Sequence, residues 1–444
     1  MSVTSSNGLS RRNLLTPITV ALLFLPILAS TASLSADQSV LGAGNQAAQL
    51  LAARSPLVSS AVALITQRIA EIADPTLRSA TLDGVTNPLA CVAHRVGMTE
   101  ANKAEILQAL LAEGLVDPAD EPTIPGGLKV GVFPPLSDET GPCPHLPQPF
   151  ASAPGSFFGG HHSYPGGLAV HEAFNLSSDL SLADNYRKIY GGTAANGLAE
   201  IAAAPPAPDK AAIPIDQDII IAAPLWHDWA KQMVFHWNED GSEFIELNFG
   251  GNGKTDNYGA AGDSKAGGHH IIGVAESMAR KLSPAFVVTQ ASAHAAPTAG
   301  NEFKVVNWIR AAAMIARVDA LAAGYLIKDA RGHLRLPVLR RQGTIDLQAL
   351  MPNQPNILVE YELHNLSDAD FTFSAPAVGQ AQLLLAALAS RFGYDPNQQA
   401  TYNTKYRNPV LSYLSAERLQ IIYANAGLDA VAAEIARLKA MGII

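Results

Sequence analysis

Pro224–Lys231 reads P-L-W-H-D-W-A-K and closes an apolar run that starts with Ile219, Ile220 and Ile221. A histidine and an aspartate stand side by side, His227 and Asp228, with Lys231 three places on. The run Asp218–Trp229 is read as a buried helix that ends in this pair. Working outward, histidines collect on both sides. Upstream, His161 and His162 open H-H-S-Y-P-G-G-L-A-V-H, which ends at His171. Downstream come His269 and His270 in G-G-H-H-I-I-G, then His294. Counting His227 and His236, eight of the chain's twelve histidines fall in this one segment, which asks for a shared chemical reason.

Helical periodicity dominates the rest. Ala47–Ala53 and Ala61–Ile72 carry apolar residues at three- and four-residue intervals, and Thr99–Gly114 has Thr99 as its cap with Glu100 in the first turn. Leu168–Leu180 is expected to be a helix carrying His171, and Val305–Leu321 a helix carrying Asp319. Gly379–Arg391 and Ser415–Met441 read as amphipathic helices with no assigned chemistry. Strand signals are few: Leu128–Val132, the alternating Phe244–Phe249 and, briefly, Ile357–Tyr361. The Gly-rich loop Gly250–Gly268 is expected to close over a ligand. The expected fold class is therefore mainly α. A central domain at 156–330 is flanked by a helical region with a Pro/Gly-rich linker at 37–155 and a helical region at 331–444.

Neutral imidazole is the commonest side-chain metal ligand, and carboxylates complete the charge balance. Successive helices offer His171, His227, Asp228, His269 or His270, His294 and Asp319 as nitrogen and oxygen donors. This set suits one or two divalent ions (manganese, magnesium, zinc or iron), and an aspartate beside a histidine can bridge two of them. Such an ion would lower the pKa of a bound water and make hydroxide available near neutral pH. Asp319 is expected on a strongly apolar helix, where a lone carboxylate is costly and a cation must answer it.

The order His…His-Asp…His…His…Asp resembles the HD-domain metal-dependent phosphohydrolase superfamily. H-H-S-Y-P-G-G-L-A-V-H and H-D-W-A-K are similar to the HD domain of bacterial 3′–5′ exoribonucleases, and the likeness covers Phe157–Leu326. It implies an HD-type helical central domain. His171 would be the first ligand, His227 and Asp228 the central pair, and Lys231 the lysine near the substrate phosphate. His269 matches the next histidine, with His270 able to take its place; His294 would serve two-metal variants and Asp319 would close the sphere. The implied reaction is hydrolysis of a phosphomonoester or phosphodiester in a small phosphorylated, nucleotide-like substrate, with Lys231 and His162 neutralising the phosphate. A di-iron oxygenase and a non-catalytic metal-binding or sensing module are the other functions such a domain can have. No G-x-S-x-G elbow and no phosphate loop compete with these readings.

The chain has 444 residues, 48% of them hydrophobic and 16% charged, which is the composition of a globular protein. A formal net charge of −9 argues against broad binding to a nucleic-acid backbone. Arg11 and Arg12 precede an apolar run from Ile18 to Ala29, followed by small residues. Residues 1–36 are thus expected to be a twin-arginine-like export signal, placing the protein in the periplasm or outside the cell. Membrane contact is expected only through an uncleaved signal, since no other segment reads as long and apolar enough to cross. The two cysteines, Cys91 and Cys143, can form one disulfide in an oxidising compartment. Neither has the neighbouring cysteine of a thiolate metal site.

Overall fold

The computed structural model describes residues 41–190, 215–242, 246–252, 263–297, 301–337, 339, 344–346 and 356–444. Several helix starts follow from side chains that take up free backbone amides. Helix α1 is Asn45–Arg54. Ser55 caps α2 (Pro56–Ile69) and Asp74 caps α3 (Pro75–Thr86), each with proline in the first turn. Thr99 and Asn102 form a reciprocal capping box at α4 (Glu100–Ala112). Then come α5 (Gly127–Val132), α6 (Gly167–Tyr190), α7 (Gln217–His227) and the single turn α8 (Lys231–Val234). The series continues with α9 (Gly268–Ala279), α10 (Pro284–Ala291), α11 (Glu302–Ala316), α12 (Val359–Ser367) and α13 (Phe371–Phe392). It ends with α14 (Asn408–Leu414) and α15 (Ala416–Ala440). Among the described residues, strands occur only as three two-stranded antiparallel pairs, so the protein is mainly α.

Residues 39–444 form one compact unit. Helix α7 is buried from Ile219 to His227 and apolar all round up to Trp226, so neighbours cover that stretch on every side. Helices α3, α6, α9, α10 and α12 pack on it. Trp226 on its last turn and Trp229 just past its end, stacked with ring centroids 5.5 Å apart, are pinned from α3. Trp226 Nε1 donates to Thr81 Oγ1 at 3.0 Å, and Trp229 Nε1 to the Gly84 carbonyl at 2.8 Å. A Cβ on Gly84 would lie 3.0 Å from the Trp226 ring, which is why a residue without one sits there. A separate apolar cluster joins α13, α14 and α15 to Tyr164. The Cys91–Cys143 disulfide is formed, with Cα atoms 5.1 Å apart, inside the usual span for such a bridge.

Several elements differ from the expectations. Leu128–Val132 lies in a helical turn rather than a strand: Gly126 and Gly127 both adopt left-handed φ, and Glu121 accepts from the Leu128 amide. Of Phe244–Phe249, only Asn248–Phe249 (β1) is paired, with Ala266–Gly267 (β2); residues 243–245 lie outside the described set. Ile357–Tyr361 divides between a strand at Asn356–Leu358 and the start of α12. Helix α11 stops at Ala316 because Arg317 turns left-handed (φ 58°), so Asp319 is not on it. Val359–Phe392 also reaches the length and hydropathy of a membrane span, which the sequence reading did not anticipate. In the fold it is two helices joined by the turn Asp368–Asp370 and packed on α6 and α15. The export signal at 1–36 lies outside the described residues, as does 253–262 of the Gly-rich loop.

Candidate metal centre

Helix α7 delivers His227 on its last turn and Asp228 as its C-cap. Both are buried, at 0% and 1% exposure. The Pro224 carbonyl accepts from His227 Nδ1 at 2.8 Å, which orients the ring and turns Nε2 toward the carboxylates. That Nε2 lies 3.4 Å from Asp228 Oδ2 and 3.3 Å from Asp368 Oδ1. From α6, His171 Nε2 reaches the same two oxygens at 3.2 and 3.3 Å. Four side chains, His171, His227, Asp228 and Asp368, therefore converge on one point.

The second oxygen of Asp228 faces elsewhere. His269 Nε2 lies 3.0 Å from Asp228 Oδ1, and one ligand atom each of Asp228, His269 and His294 fall within 4.8 Å of one another. His294 Nε2 is also 3.7 Å from Asp368 Oδ2. Asp228 thus stands between two donor groups, one oxygen turned to each. His269 is held by Glu246, whose Oε2 accepts from Nδ1 at 2.7 Å and from the His269 amide at 3.1 Å. The β1–β2 pair brings Glu246 there. The approach is close enough that a Cβ on Gly267 would lie 2.4 Å from the His269 ring, and one on Gly268 2.7 Å from the Leu247 carbonyl. The two glycines before the histidine pair are explained by this contact.

His171 is braced from behind. Its Nδ1 lies 2.9 Å from Asp370 Oδ1, while Asp370 Oδ2 is 3.7 Å from His162 Nε2. His162 also lies 3.6 Å from Glu417, and Ser374 Oγ sits between His162 Nδ1 (3.1 Å) and Glu417 (2.6 Å). Carboxylates and a hydroxyl from α13, α15 and the turn before α13 thus orient a ring on α6.

Does this cluster fit a metal ion? Two donors each about 2.1 Å from a shared ion stand about 3.0–3.4 Å apart at tetrahedral to octahedral angles, and most of the separations above fall in that range. Buried His227 Nε2 makes no hydrogen bond, and His269 Nε2 and Asp228 Oδ1 stand 3.0 Å apart without hydrogen-bond alignment, which is costly unless something else satisfies them. The electrostatics also ask for a cation. Burial works against charge on His227, yet Asp228, Glu172 and Asp368 outweigh it and push the ring up to about 10. Burial likewise opposes charge on Asp228, but His227 and Lys231 hold its carboxyl well below the usual range. Burial lowers His294 to about 4, so it is a neutral imidazole with a lone pair to give. The donor set fits divalent ions.

The structure places the expected residues unevenly. His171, His227, Asp228, His269 and His294 are brought together. Asp319 is not with them: it is exposed, and its Oδ1 accepts from the amides of Leu321 and Ala322, so no buried charge needs an answer. The closing carboxylate in space is Asp368. His270 points the other way on α9; its Nε2 donates to the Ala291 carbonyl, and its ring stacks on His294 with centroids 4.4 Å apart. It steadies a ligand. His162 is buried behind His171 in the bracing network, while His161 lines the cleft. Lys231 lines the cleft as well, its ammonium bonded to Asp228 and to the Gly155 carbonyl. Sequence reading missed Asp368, Asp370, Glu246 and the buried Glu172 and His364 beside His227. Asp368-Ala369-Asp370, an acidic pair between apolar Leu366 and Phe371, was the available signal.

The centre floors a cleft of about 460 Å³. Comparison with family models, with curated proteins and with solved structures gave no match.

Proposed function

We propose that the protein is a metal-dependent phosphohydrolase acting on a phosphomonoester or phosphodiester, with an HD-type centre for two divalent ions. One observation carries the reading: Asp228 turns its two oxygens to separate histidine groups, as a carboxylate bridging two ions would. In chain order the donors become His171, His227-Asp228, His269, His294 and Asp368, which keeps the order of the HD-domain pattern with Asp368 in the closing place. Divalent ions bound there supply Lewis-acid stabilisation of the phosphoryl oxygens and an acidified water as nucleophile.

The chain's own residues do the rest. His171, His227 and Asp368 would hold one ion, His269 and His294 the other, and Asp228 would join the two sites. Glu246 and Asp370 keep His269 and His171 in the tautomers that present Nε2. Lys231 neutralises Asp228 and presents positive charge at the cleft wall. His161, which burial keeps well below its ordinary pKa, is a neutral imidazole facing the same space. The test is turnover of bis(4-nitrophenyl) phosphate and 4-nitrophenyl phosphate by the full chain reconstituted with manganese, zinc or iron. Metal-dependent hydrolysis that Asp228→Ala abolishes supports the reading. A fully loaded protein that hydrolyses neither ester contradicts it, and oxygen consumption by an iron-loaded form would move the function to the oxygenase class.

A further inference from the structure

We propose that the organic arm of the substrate is apolar, an aryl or alkyl group, and that it seats against Leu366 and Phe371 on the wall of the metal cleft. The inference rests on the metal centre described above and narrows the substrate class away from nucleoside polyphosphates.

The short segment that supplies Asp368 also supplies this wall. Leu366 lies two residues before the ligand and Phe371 three after it, and both line the cleft together with Ala293 and Ala369. Leu366 is 50% and Phe371 46% exposed. Single exposed apolar side chains are ordinary on a protein surface. Two of them beside one metal ligand, facing into the same concave space, make a pocket of the usual composition: apolar walls with a few polar groups at one end. The Phe371 ring lies 6.3 Å from that of His161, so an aromatic surface continues across the mouth.

Charge points the same way. Among the described lining residues Lys231 is the one lysine and there is no arginine, while Asp228 and Asp368 are both anionic. Lys231 is already bonded to Asp228 and Gly155. Two divalent ions can answer one phosphoryl group. Among the described lining residues, a second and third phosphate further out would meet Leu366, Phe371, Ala369 and the uncharged Asn365, with no further lysine or arginine.

The experiment compares two chelators with one head group and different arms, benzohydroxamate and acetohydroxamate, titrated calorimetrically into the metal-loaded full chain. Because a hydroxamate binds the ions directly, it reads the wall whether or not the protein hydrolyses esters. Benzohydroxamate is expected to bind at least about tenfold more tightly, the size of effect that burying part of an aromatic ring gives. The preference is expected to fall below about threefold in Leu366→Ser/Phe371→Ser, checked for full metal content. It is expected to persist in Leu383→Ser, a control at an exposed leucine of α13 outside the cleft wall. Equal affinity in the wild type, or an undiminished preference in the double variant, overturns the proposal. So does stronger competition by a nucleoside triphosphate than by phenyl phosphate. Selectivity without turnover of phenyl 4-nitrophenyl phosphate supports the apolar wall and removes only the hydrolytic reading.

Discussion

At the residue scale, the division of labour around His171 is the sharpest feature. Its Nε2 points at the donor cluster and its Nδ1 at Asp370, so Asp370 orients the ring from the far side of that cluster. Such outer carboxylates are worth about 10–100-fold in metal affinity. Asp370→Asn is therefore expected to weaken metal binding by about that factor in a competition titration against a chromogenic chelator, with the circular dichroism spectrum unchanged. An affinity within twofold of wild type would show that His171 needs no brace. His294 tests the two-ion layout separately. In the proposed layout His294 serves the second ion, so His294→Ala is expected to lower metal content by about one ion per chain, whereas loss of both would mean that the sites do not fill independently.

At the element scale, what was legible in the sequence was what depends on neighbours in sequence. The apolar run of α7, the Thr99 cap of α4 and the placement of His171, His227 and Asp228 near helix ends all follow from local pattern. The closing aspartate does not. Asp319 and Asp368 are equally plain aspartates in the sequence, and the choice between them depends on where α11 stops and how α12 folds back onto α6 and α7. The left-handed turn at Arg317 ends α11 early, and no residue type demands that turn. The same holds for Glu276, two turns after His269 on α9, whose partners come from a distant part of the chain. It is fully buried on α9 and accepts from the amides of Ala93 and His94, from His94 Nδ1 and from Arg280, tying α9 to the turn at Ala93–Arg95. Burial alone would raise its carboxyl; His94, Arg280 and the Ala93 amide outweigh that and bring it down to about 2. A carboxyl depressed in the folded state stabilises the fold above its unfolded pKa, near 4.5, and loses that contribution as pH falls toward about 2. Glu276→Gln is expected to cost about 3 kcal/mol at neutral pH, the scale of a broken buried ion network. It is also expected to flatten the acid limb of stability in urea unfolding between those pH values. An unchanged acid limb would contradict the assignment.

At the scale of the whole molecule, the metal centre is where distant parts of one compact unit meet. Helix α6, the α7 end, the α9 start, the α10–α11 connection and the turn between α12 and α13 each give it a donor. An ion bound there links the C-terminal helices to the centre. Chelation is accordingly expected to lower the melting temperature, since a ligand at a hundred times its Kd adds about 2.7 kcal/mol of stability. The Cys91–Cys143 bridge closes a separation of 52 residues, worth about 4 kcal/mol in the chain-entropy view, so reduction is expected to destabilise the fold independently of the metal. The most direct test is elemental analysis of the full chain beside Asp228→Ala, Asp368→Ala and Asp319→Ala. Expected are about two divalent ions per chain in the wild type and in Asp319→Ala, with both lost in Asp228→Ala and at least one in Asp368→Ala. A wild type that holds no metal after purification and reconstitution would contradict the centre, and so would an Asp319→Ala variant that loses its metal while Asp368→Ala keeps it.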